Sequence, residues 1–414
     1  MTIFNPVYRI KINNTEVTNI TLGGLTITNG RTDIYSQPEA GYCNLTLLET
    51  NLDQINWDIN DSVSIEVKNS ANNYVYIFGG FITDLNIIVT SSGSIATVQK
   101  INIIAVGALA RLARTIFTGN LPHQFDGERI EYLIGLVLFD SWNEVSASLQ
   151  WNNYNATTTW LNAENSGAGE IDTPGDYELH SQNDLDDTIY NLASYTARSG
   201  LGYLYEDAQG LIGYADSTHR GEYLTNNGYL DLDGNQAIGP ELQISKIAGN
   251  VRNSITIGYG TSGQSVTDSD PVSMITYGEL ADTIDTSLRH QADAVIQADY
   301  YLTIRAYPQF ELRQIVFPLT SPEMDNNTRD ALLNVFMGLP VNITNLPINM
   351  VDGAFQGFIE GWTWRASLNS LSISLSISPT AYSLQAFRWD SVPAVETWQT
   401  ISPTLEWLNA TIVA

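Results

Sequence analysis

Residues 368–379 read LNSLSISLSISP, in which serine alternates with Leu371, Ile373, Leu375 and Ile377. Successive side chains of a β-strand point to opposite faces of the sheet, so this spacing places the four aliphatic residues on one face. The serines then lie on the other face. The pattern predicts a strand that packs one face in a hydrophobic core and exposes the other to water.

The residues that lead into this strand, from Ala281 onward, carry one long helix pattern and several strand patterns. Apolar side chains recur in 282–305 at the three-and-four spacing of an amphipathic helix, and Pro308 ends that helix. The recurring residues are Ile284, Leu288, Ala292, Val295 and Leu302. The other predicted elements are strands at 310–317, 341–344 and 354–364, and a short helix at 330–338 that ends on glycine.

Length and composition indicate a β-rich chain that forms more than one domain. With 414 residues the chain is long enough for two or three domains, each with its own core. Hydrophobic residues make up 43% of the chain and charged residues only 15%. No apolar stretch approaches the roughly 20 residues that span a bilayer, and the N-terminus has no signal-peptide pattern. Cys43 is the only cysteine, which excludes an intrachain disulfide, and its strand-like surroundings predict a buried thiol.

The charge balance bears on possible partners. The chain has 18 basic and 45 acidic residues, which give a net charge of −27. A surface of this charge repels phosphate at long range and disfavours direct nucleic-acid binding. Two interpretations remain: the charge serves solubility alone, or part of it lines a channel through which DNA passes without adhering.

The order of the patterns predicts a mainly β chain with an α+β insertion, in which two small β-barrels are joined by helices. Hairpins are predicted where 63–68 meets 74–78 and where 203–205 meets 211–214. Helices are predicted at 126–140 and 184–200, and a long loop at 152–175. The predicted domains are a first β-barrel at 1–115, a helical insertion at 116–200, a second β-barrel at 201–385 with the helix 281–305 packed on its side, and a tail at 386–414.

The most specific N-terminal signal lies between Gly30 and Leu48. It consists of a Gly30-Arg31 step, a Gln37-Pro38 turn and an alternating strand over 42–48, which together predict a bulged strand, a corner fixed by proline and a returning strand. In this order the elements resemble the N-terminal part of bacteriophage minor tail proteins related to the tail hub or baseplate hub. The C-terminal part resembles the same group in its helix, in the step from Leu332 to Val341, and in the paired strands at 355–364 and 370–379.

This resemblance implies a structural role and covers most of the chain. Hub proteins of this group have two β-barrels of the phage tail hub type, and they form a ring, usually threefold, that joins the tail tube to the tip or spike. The resemblance therefore implies a homotrimer in the virion tail tip, with tube, distal tail, tip or fibre proteins as partners and with DNA passing through the ring. It implies no cofactor and no membrane-spanning segment.

A tryptophan repeat marks the tail. Trp389, Trp398 and Trp407 stand nine residues apart on a segment too short to form a core of its own. Three large aromatic side chains in such a segment are predicted to bind a partner, which makes them the candidate partner-binding residues. The alternative is that they pack back on their own subunit.

The sequence shows no constellation of catalytic or metal-binding residues. The four histidines, His123, His180, His219 and His290, are far apart in the chain, and Asp231-Leu-Asp-Gly-Asn235 departs from the spacing of a calcium loop. Acidic pairs such as Glu206-Asp207 are expected by chance among 45 acids. We therefore expect a non-enzymatic virion protein. The alternatives are an exposed adhesin or carbohydrate-binding tail protein that uses the three tryptophans, and a tail-associated peptidoglycan hydrolase.

Overall fold

The computed structural model describes residues 4–89, apart from 19, 33, 35 and 51–53, together with 98–140, 170–348 and 353–380. Within these ranges the chain is mainly β, with helices between and beside the sheets. No helix in the described ranges is long and apolar enough to cross a membrane.

The elements are named in chain order. The first part of the chain forms β1 (Tyr8–Ile12), β2 (Thr15–Glu16), β3 (Ile20–Gly30), β4 (Tyr42–Glu49), β5 (Ser62–Lys68), β6 (Tyr74–Val89), β7 (Gln99–Val106), α1 (Leu109–Arg114), β8 (Ile116–Leu121), β9 (Gln124–Phe125), α2 (Asp126–Asp140), β10 (Glu178–Leu179), β11 (Gln182–Thr188) and α3 (Ile189–Ser199). The second part forms β12 (Tyr203–Glu206), β13 (Ile212–Ala215), α4 (His219–Asn227), β14 (Leu230–Asp233), β15 (Gln243–Lys246), β16 (Ser254–Tyr259), β17 (Gln264–Ser269), α5 (Pro271–Tyr277), β18 (Ala281–Ile284), α6 (Gln291–Arg305), β19 (Phe310–Pro318), α7 (Asn326–Leu333), β20 (Pro340–Thr344), β21 (Phe355–Ser367) and β22 (Ser370–Pro379).

Thirteen of the described strands join in one large sheet. Its order is β15-β19-β22-β21-β3-β4-β7-β6-β5-β1-β2, and β20 adds to it by pairing with both β21 and β14. The strand β21 is antiparallel to β22 on one side and to β3 on the other, so that Trp364 lies opposite Ile373 and Ile27. The N-terminal and C-terminal parts of the chain therefore share a continuous sheet.

The predicted pair of barrels is not confirmed, because no sheet among the described residues closes on itself. The structure does confirm that the chain is mainly β with helical parts. The division into domains at 1–115, 116–200, 201–385 and 386–414 stays a prediction, and the last of these segments lies outside the described residues.

The large sheet confirms the strand that was predicted from the alternation of serine with aliphatic residues. Leu371, Ile373, Leu375 and Ile377 are all buried on one face of β22, while the serines between them are less buried. They belong to a cluster that also contains residues of β3, β4 and β7. Burying apolar surface contributes about 25 cal/mol per Å², so this shared cluster stabilises the joined sheet.

Beside the large sheet, the described residues form two smaller cores. One is formed by α1, α2 and α3, where Leu133 and Ile134 of α2 pack with Leu192 and Ala193 of α3. The other lies under α6, whose Ala298 packs in one cluster with residues of β16, a strand of the three-stranded sheet β17-β16-β18. The predicted helix at 126–140 is confirmed.

The predicted helix at 184–200 begins later than its sequence pattern indicates. Residues Gln182–Thr188 form β11 and pair antiparallel with β8, so their backbone groups are engaged in a sheet. The helix α3 starts at Ile189, where the Thr188 side chain accepts a hydrogen bond from the Asn191 N–H at 3.2 Å. Asp184, Asp186 and Asp187 would favour the first turn of a helix, but they lie in the strand instead.

The predicted helix at 281–305 is also too long. Ala281–Ile284 form β18, which pairs in parallel with β16, and α6 begins only at Gln291. Between them the Thr286 hydroxyl donates to Gly258 O at 2.6 Å, and the Ser287 N–H donates to Ser199 Oγ at 3.0 Å. These long-range hydrogen bonds replace the helical ones.

The short helix predicted at 330–338 begins four residues earlier and ends five residues earlier, at Asn326–Leu333. Asp325 caps its start by accepting from the Thr328 N–H at 2.9 Å. Both predicted hairpins are confirmed, as β5 pairs with β6 and β12 pairs with β13. The loop predicted at 152–175 is described only from Glu170 onward, where Ile171 forms a bridge with Tyr214 of β13.

Candidate functional site

The three candidate partner-binding residues, Trp389, Trp398 and Trp407, lie outside the described residues, and their role stays a prediction. The described part of the chain instead brings together buried charged side chains around α4. They lie where the helical part and β12–β13 contact the large sheet, and we call this region the junction.

A buried ion-pair network holds α4 to the large sheet. Glu360, on β21, accepts from Arg220 of α4, with Nη1 to Oε1 at 2.6 Å and Nη2 to Oε2 at 3.0 Å. Arg31, which follows β3, donates from Nε to Oε2 of Glu360 at 2.7 Å. The hydroxyl of Ser378 donates to Oε1 at 2.5 Å. The Glu360 side chain is only 1% exposed, so this carboxylate is desolvated and depends on its partners.

The electrostatics of this network favour its charged form. Burial alone would raise the pKa of Glu360, but the guanidinium groups of Arg220 and Arg31 outweigh it and lower this pKa to about 2. The ring of Tyr203 makes cation–π contacts with both arginines. The guanidinium of Arg220 lies 4.3 Å from the ring centroid, and that of Arg31 lies 5.3 Å from it. Glu360 is therefore ionised at neutral pH.

The N-terminal motif lies in this junction. Gly30 has φ +81°, and a Cβ there would lie 2.3 Å from Glu360 O, so the close approach of β3 to β21 requires glycine. Arg31 follows it into the ion-pair network. The Gln37 side chain binds the backbone of β12 and the residue before it, accepting from the Leu204 N–H at 3.1 Å and donating to Gly202 O at 3.0 Å. The motif thus fastens the large sheet to β12.

Glu206, at the end of β12, makes a second connection. Its carboxylate accepts from the Gly41 N–H at 2.8 Å and from the Leu109 N–H at the start of α1. Burial raises the pKa of Glu206 to about 7, although both hydrogen bonds favour the ionised form. In the sequence Glu206 belongs to an acidic pair that is expected by chance, whereas in the structure it holds the backbone N–H groups of Gly41 and Leu109.

A third cluster lies at the start of α4 and contains Glu170, Asp172, Asp216 and His219. The Nδ1 of His219 lies 2.6 Å from Asp172 Oδ2, and the Asp216 N–H donates to the same oxygen at 3.0 Å. Asp216 Oδ1 in turn accepts from the His219 N–H at 3.1 Å. Glu170, Asp172 and His219 each place one potential ligand atom within 4.8 Å of the other two.

The acidic residues in this cluster repel each other. Burial, together with Asp172 and Asp216, raises the pKa of Glu170 to about 8, although His219 acts against this shift. Burial would lower the pKa of His219, but the charge of Asp172 and its hydrogen bond raise it. The cluster therefore has an excess of acidic groups over basic ones in a region with little water.

The structure also changes the interpretation of two other histidines. His123 and His290 are far apart in the sequence, but each bonds through Nε2 to a different oxygen of Glu178. Arg289 Nη1 lies 3.1 Å from the same carboxylate, and these hydrogen bonds and charges lower the pKa of Glu178. The two histidines and Arg289 are about half exposed, so this is a surface cluster.

The sequence carried only weak signals for these groupings. The spacing Glu170-x-Asp172 in an extended segment puts both carboxylates on one face, and an aspartate such as Asp216, three residues before the start of α4, is typical of the turn that leads into a helix. Neither pattern indicates that the two segments meet.

The junction encloses a small cleft. Its volume is about 80 Å³, and its lining includes Arg31, Arg198, Asp216, Arg220 and Tyr300. Pockets for small organic ligands are typically larger, roughly 300–1,000 Å³. The cleft has room for a few water molecules.

Comparison with known proteins identifies the fold. The tail protein from Neisseria meningitidis MC58 superimposes with a TM-score of 0.59 at 11% identity, covering 92% of this chain and 98% of that chain. The 43 kDa tail protein of prophage MuSo2 from Shewanella oneidensis gives a TM-score of 0.53 at 10% identity, covering 91% and 98%. No protein-family profile and no curated protein matches the sequence. The predicted resemblance is therefore confirmed at the level of the fold, and the fold of this chain is that of phage tail proteins.

Proposed function

We propose that this protein is a structural component of a phage tail tip, where it forms a hub ring that connects the tail tube to the tip or spike. The proposal rests on the structural similarity to a solved tail protein, which covers 92% of this chain and 98% of the other. An agreement of this extent concerns the complete architecture and is not limited to one common motif.

The architecture is suited to a structural protein that has to resist deformation. One sheet of thirteen strands contains both the N-terminal and the C-terminal strands, and the network around Glu360 fastens α4 to it. A protein whose segments are linked by a shared core and by buried ion pairs moves as one body. This rigidity supports a connecting role in the tail.

The charge supports the passage of DNA through the ring. A net charge of −27 repels the phosphate backbone, so DNA would slide past an acidic inner wall without being retained. In this proposal the ring is a homotrimer, its partners are other tail proteins, and its location is the virion.

The proposal includes the absence of catalytic activity. The only cysteine, Cys43, is fully buried in the core of the large sheet, and burial raises the pKa of its thiol, so it does not supply a nucleophile. The small volume of the junction cleft also argues against a binding site for a wall polysaccharide. A purified chain incubated with host peptidoglycan should release no sugar or peptide, and measurable release would contradict this part.

The ring is tested on the purified full-length chain and on particles. Light scattering should give the mass of three chains, and negative-stain images should show a closed ring, alone or with tube protein added. Gold-labelled antibody should bind at one end of the tail. A strict monomer that is absent from virions would overturn the proposal. Label confined to the tips of fibres would favour the adhesin alternative.

A further inference from the structure

Glu170 has an unusual environment for an acidic side chain. It is 1% exposed, and among the described residues neither of its carboxylate oxygens receives a hydrogen bond. Buried polar groups in folded proteins nearly always have a partner, since an isolated one loses its hydration without compensation. No described residue compensates this buried carboxyl group with a hydrogen bond, which makes it a candidate ligand for a cation.

The backbone aims Glu170 and Asp172 at the same place. The segment 170–172 runs beside β13, with the Tyr214 N–H donating to Glu170 O at 2.8 Å and the Asp172 N–H donating to Tyr214 O at 3.1 Å. Alternation along this extended segment directs Ile171 into the helical core and the two acids to the opposite face. His219, at the start of α4, completes the group, with all three potential ligand atoms within 4.8 Å of each other.

The contacts around His219 bring its ring close to the carboxylates of the cluster. Asp172 Oδ2 lies 2.6 Å from Nδ1 of His219, and Asp216 Oδ1 accepts a hydrogen bond from the His219 backbone N–H at 3.1 Å. These contacts orient the ring before any ion arrives. Nδ1 is then the ligating nitrogen, because it faces the Asp172 carboxylate, and the ion takes the place of the proton that the two groups share.

We propose that Glu170, Asp172 and His219 bind one divalent cation of the zinc type. Two carboxylates with one imidazole form a mixed oxygen and nitrogen donor set, which suits Zn²⁺ and its neighbours better than Ca²⁺ or Mg²⁺, which prefer oxygen ligands alone. With three protein ligands, water completes the coordination. The ion joins the segment 170–172 to α4, and through Arg220 it links the helical part to the large sheet.

The test uses the full-length chain, stripped with EDTA and dialysed, and Zn²⁺ as the probe. Calorimetric titration should show one ion per chain, and thermal unfolding should shift upward with Zn²⁺ concentration, because an ion that binds only the folded chain stabilises it. The substitution Glu170→Gln keeps the shape and removes a ligand, and His219→Gln removes the nitrogen. Each should weaken Zn²⁺ binding by more than the ~10–100-fold that losing an outer-shell partner causes.

The matched control is Glu178→Gln, since Glu178 lies between two histidines on the surface. This variant should bind Zn²⁺ like the unchanged chain. Binding that is lost in Glu178→Gln and kept in Glu170→Gln would overturn the proposal, as would a chain that binds no Zn²⁺, or one that takes Ca²⁺ or Mg²⁺ in preference.

A second measurement does not depend on the variants folding. Co²⁺ bound by the unchanged chain should give the visible absorption of a low-coordinate site with nitrogen and oxygen ligands, and Zn²⁺ should displace it one for one. A featureless spectrum that stays the same on Co²⁺ addition would contradict the site.

Discussion

Arg220 and Glu360 are 140 residues apart in the chain and form a two-point ion pair, with Nη1 to Oε1 at 2.6 Å and Nη2 to Oε2 at 3.0 Å. His219, the residue before Arg220, lies 2.6 Å from Asp172 through Nδ1. Two consecutive residues at the start of α4 therefore contact two different buried clusters. The first turn of this helix connects the large sheet to the segment that precedes β10.

Glu360→Gln should destabilise the fold strongly. The substitution leaves Arg31 and Arg220 buried without their shared counter-charge, and breaking a buried ion pair from one side typically costs about 3–5 kcal/mol. Urea unfolding of the variant should show this decrease in the free energy of unfolding. The matched control is Arg313→Gln, which breaks the more exposed pair with Glu311 and should cost about 0–1 kcal/mol. Equal decreases in the free energy of unfolding of the two variants would show that the buried network contributes no more than an exposed ion pair.

The stability of the chain should fall between pH 5 and pH 8, in part because of Asp126. This side chain is fully buried at the start of α2, and it accepts hydrogen bonds from the Tyr177 N–H at 2.8 Å and from the Tyr214 hydroxyl. Burial raises its pKa to about 7, although both hydrogen bonds act against this. Between pH 4 and 7 the folded chain retains a proton that the unfolded chain has lost. The resulting stability is therefore fully present below about pH 4 and is lost progressively as the pH rises to about 7, by up to roughly 4 kcal/mol in all.

Asp126→Asn isolates this contribution. The amide oxygen can still accept from the Tyr177 N–H, and the amide nitrogen can donate to the Tyr214 oxygen, while no charge forms at any pH. Urea unfolding at pH 5 and pH 8 should show a smaller difference in this variant than in the unchanged chain. Asp231→Asn, at the exposed end of β14, removes one charge as well and controls for net charge. If Asp126→Asn keeps the full difference, the buried carboxyl is not its source.

Gly107→Ala should weaken the connection made by Glu206. A Cβ at this position would lie 2.0 Å from Glu206 Oε2, and the carboxylate cannot move without losing the Gly41 and Leu109 N–H groups. Overpacking of this kind costs about 1–3 kcal/mol. Gly24→Ala in β3 is the control, because nothing lies within 4 Å of its added methyl group. In denaturant unfolding Gly107→Ala should have a lower midpoint than Gly24→Ala. Equal midpoints would contradict the connecting role of Glu206.

Sequence patterns predicted the secondary structure correctly where contacts between residues close in the chain determine it. The alternation in β22 placed Leu371 and Ile377 in the core correctly, because period-two burial follows from strand geometry alone. The pattern failed at Asp184 and at Asp282, where apolar spacing and acidic residues favour a helix. In both places the backbone pairs with a distant strand, β8 or β16, and such pairing outweighs a helical propensity of a few tenths of a kcal/mol per residue.

The buried clusters could not be predicted from the sequence for the same reason. Asp172 and His219 are 47 residues apart, and Arg31 and Glu360 are 329 apart. Sequence spacing shows which residues share a face of one element, but the topology of the sheet determines which elements meet. The Gly30-Arg31 step was recognised as a motif, and only the structure shows that its arginine balances a carboxylate on β21.

The tryptophan repeat leads to a prediction about assembly. If Trp389, Trp398 and Trp407 anchor on a neighbouring tail protein, each would bury roughly 150–250 Å² and could contribute several kcal/mol of binding free energy. Cutting the chain after Gln385 removes nothing from the described fold, whose last strand, β22, ends at Pro379. The truncated chain should keep its melting temperature and fail to enter particles. Replacing the three tryptophans by alanine in the full-length chain should have the same effect.

The two alternatives give different results in the same experiment. If the repeat packs back on its own subunit, losing it removes buried apolar surface, and the melting temperature should fall by a few degrees, since about 1 kcal/mol corresponds to roughly 2–4 °C in domains of 150–250 residues. If the repeat is an adhesin platform, particles should assemble normally and lose only adsorption to the host. Melting curves, particle composition and adsorption counts of the truncated chain therefore distinguish the three roles. Normal assembly by the truncated chain would exclude docking on a tail partner, because the affinity for that partner comes from the removed aromatic surface.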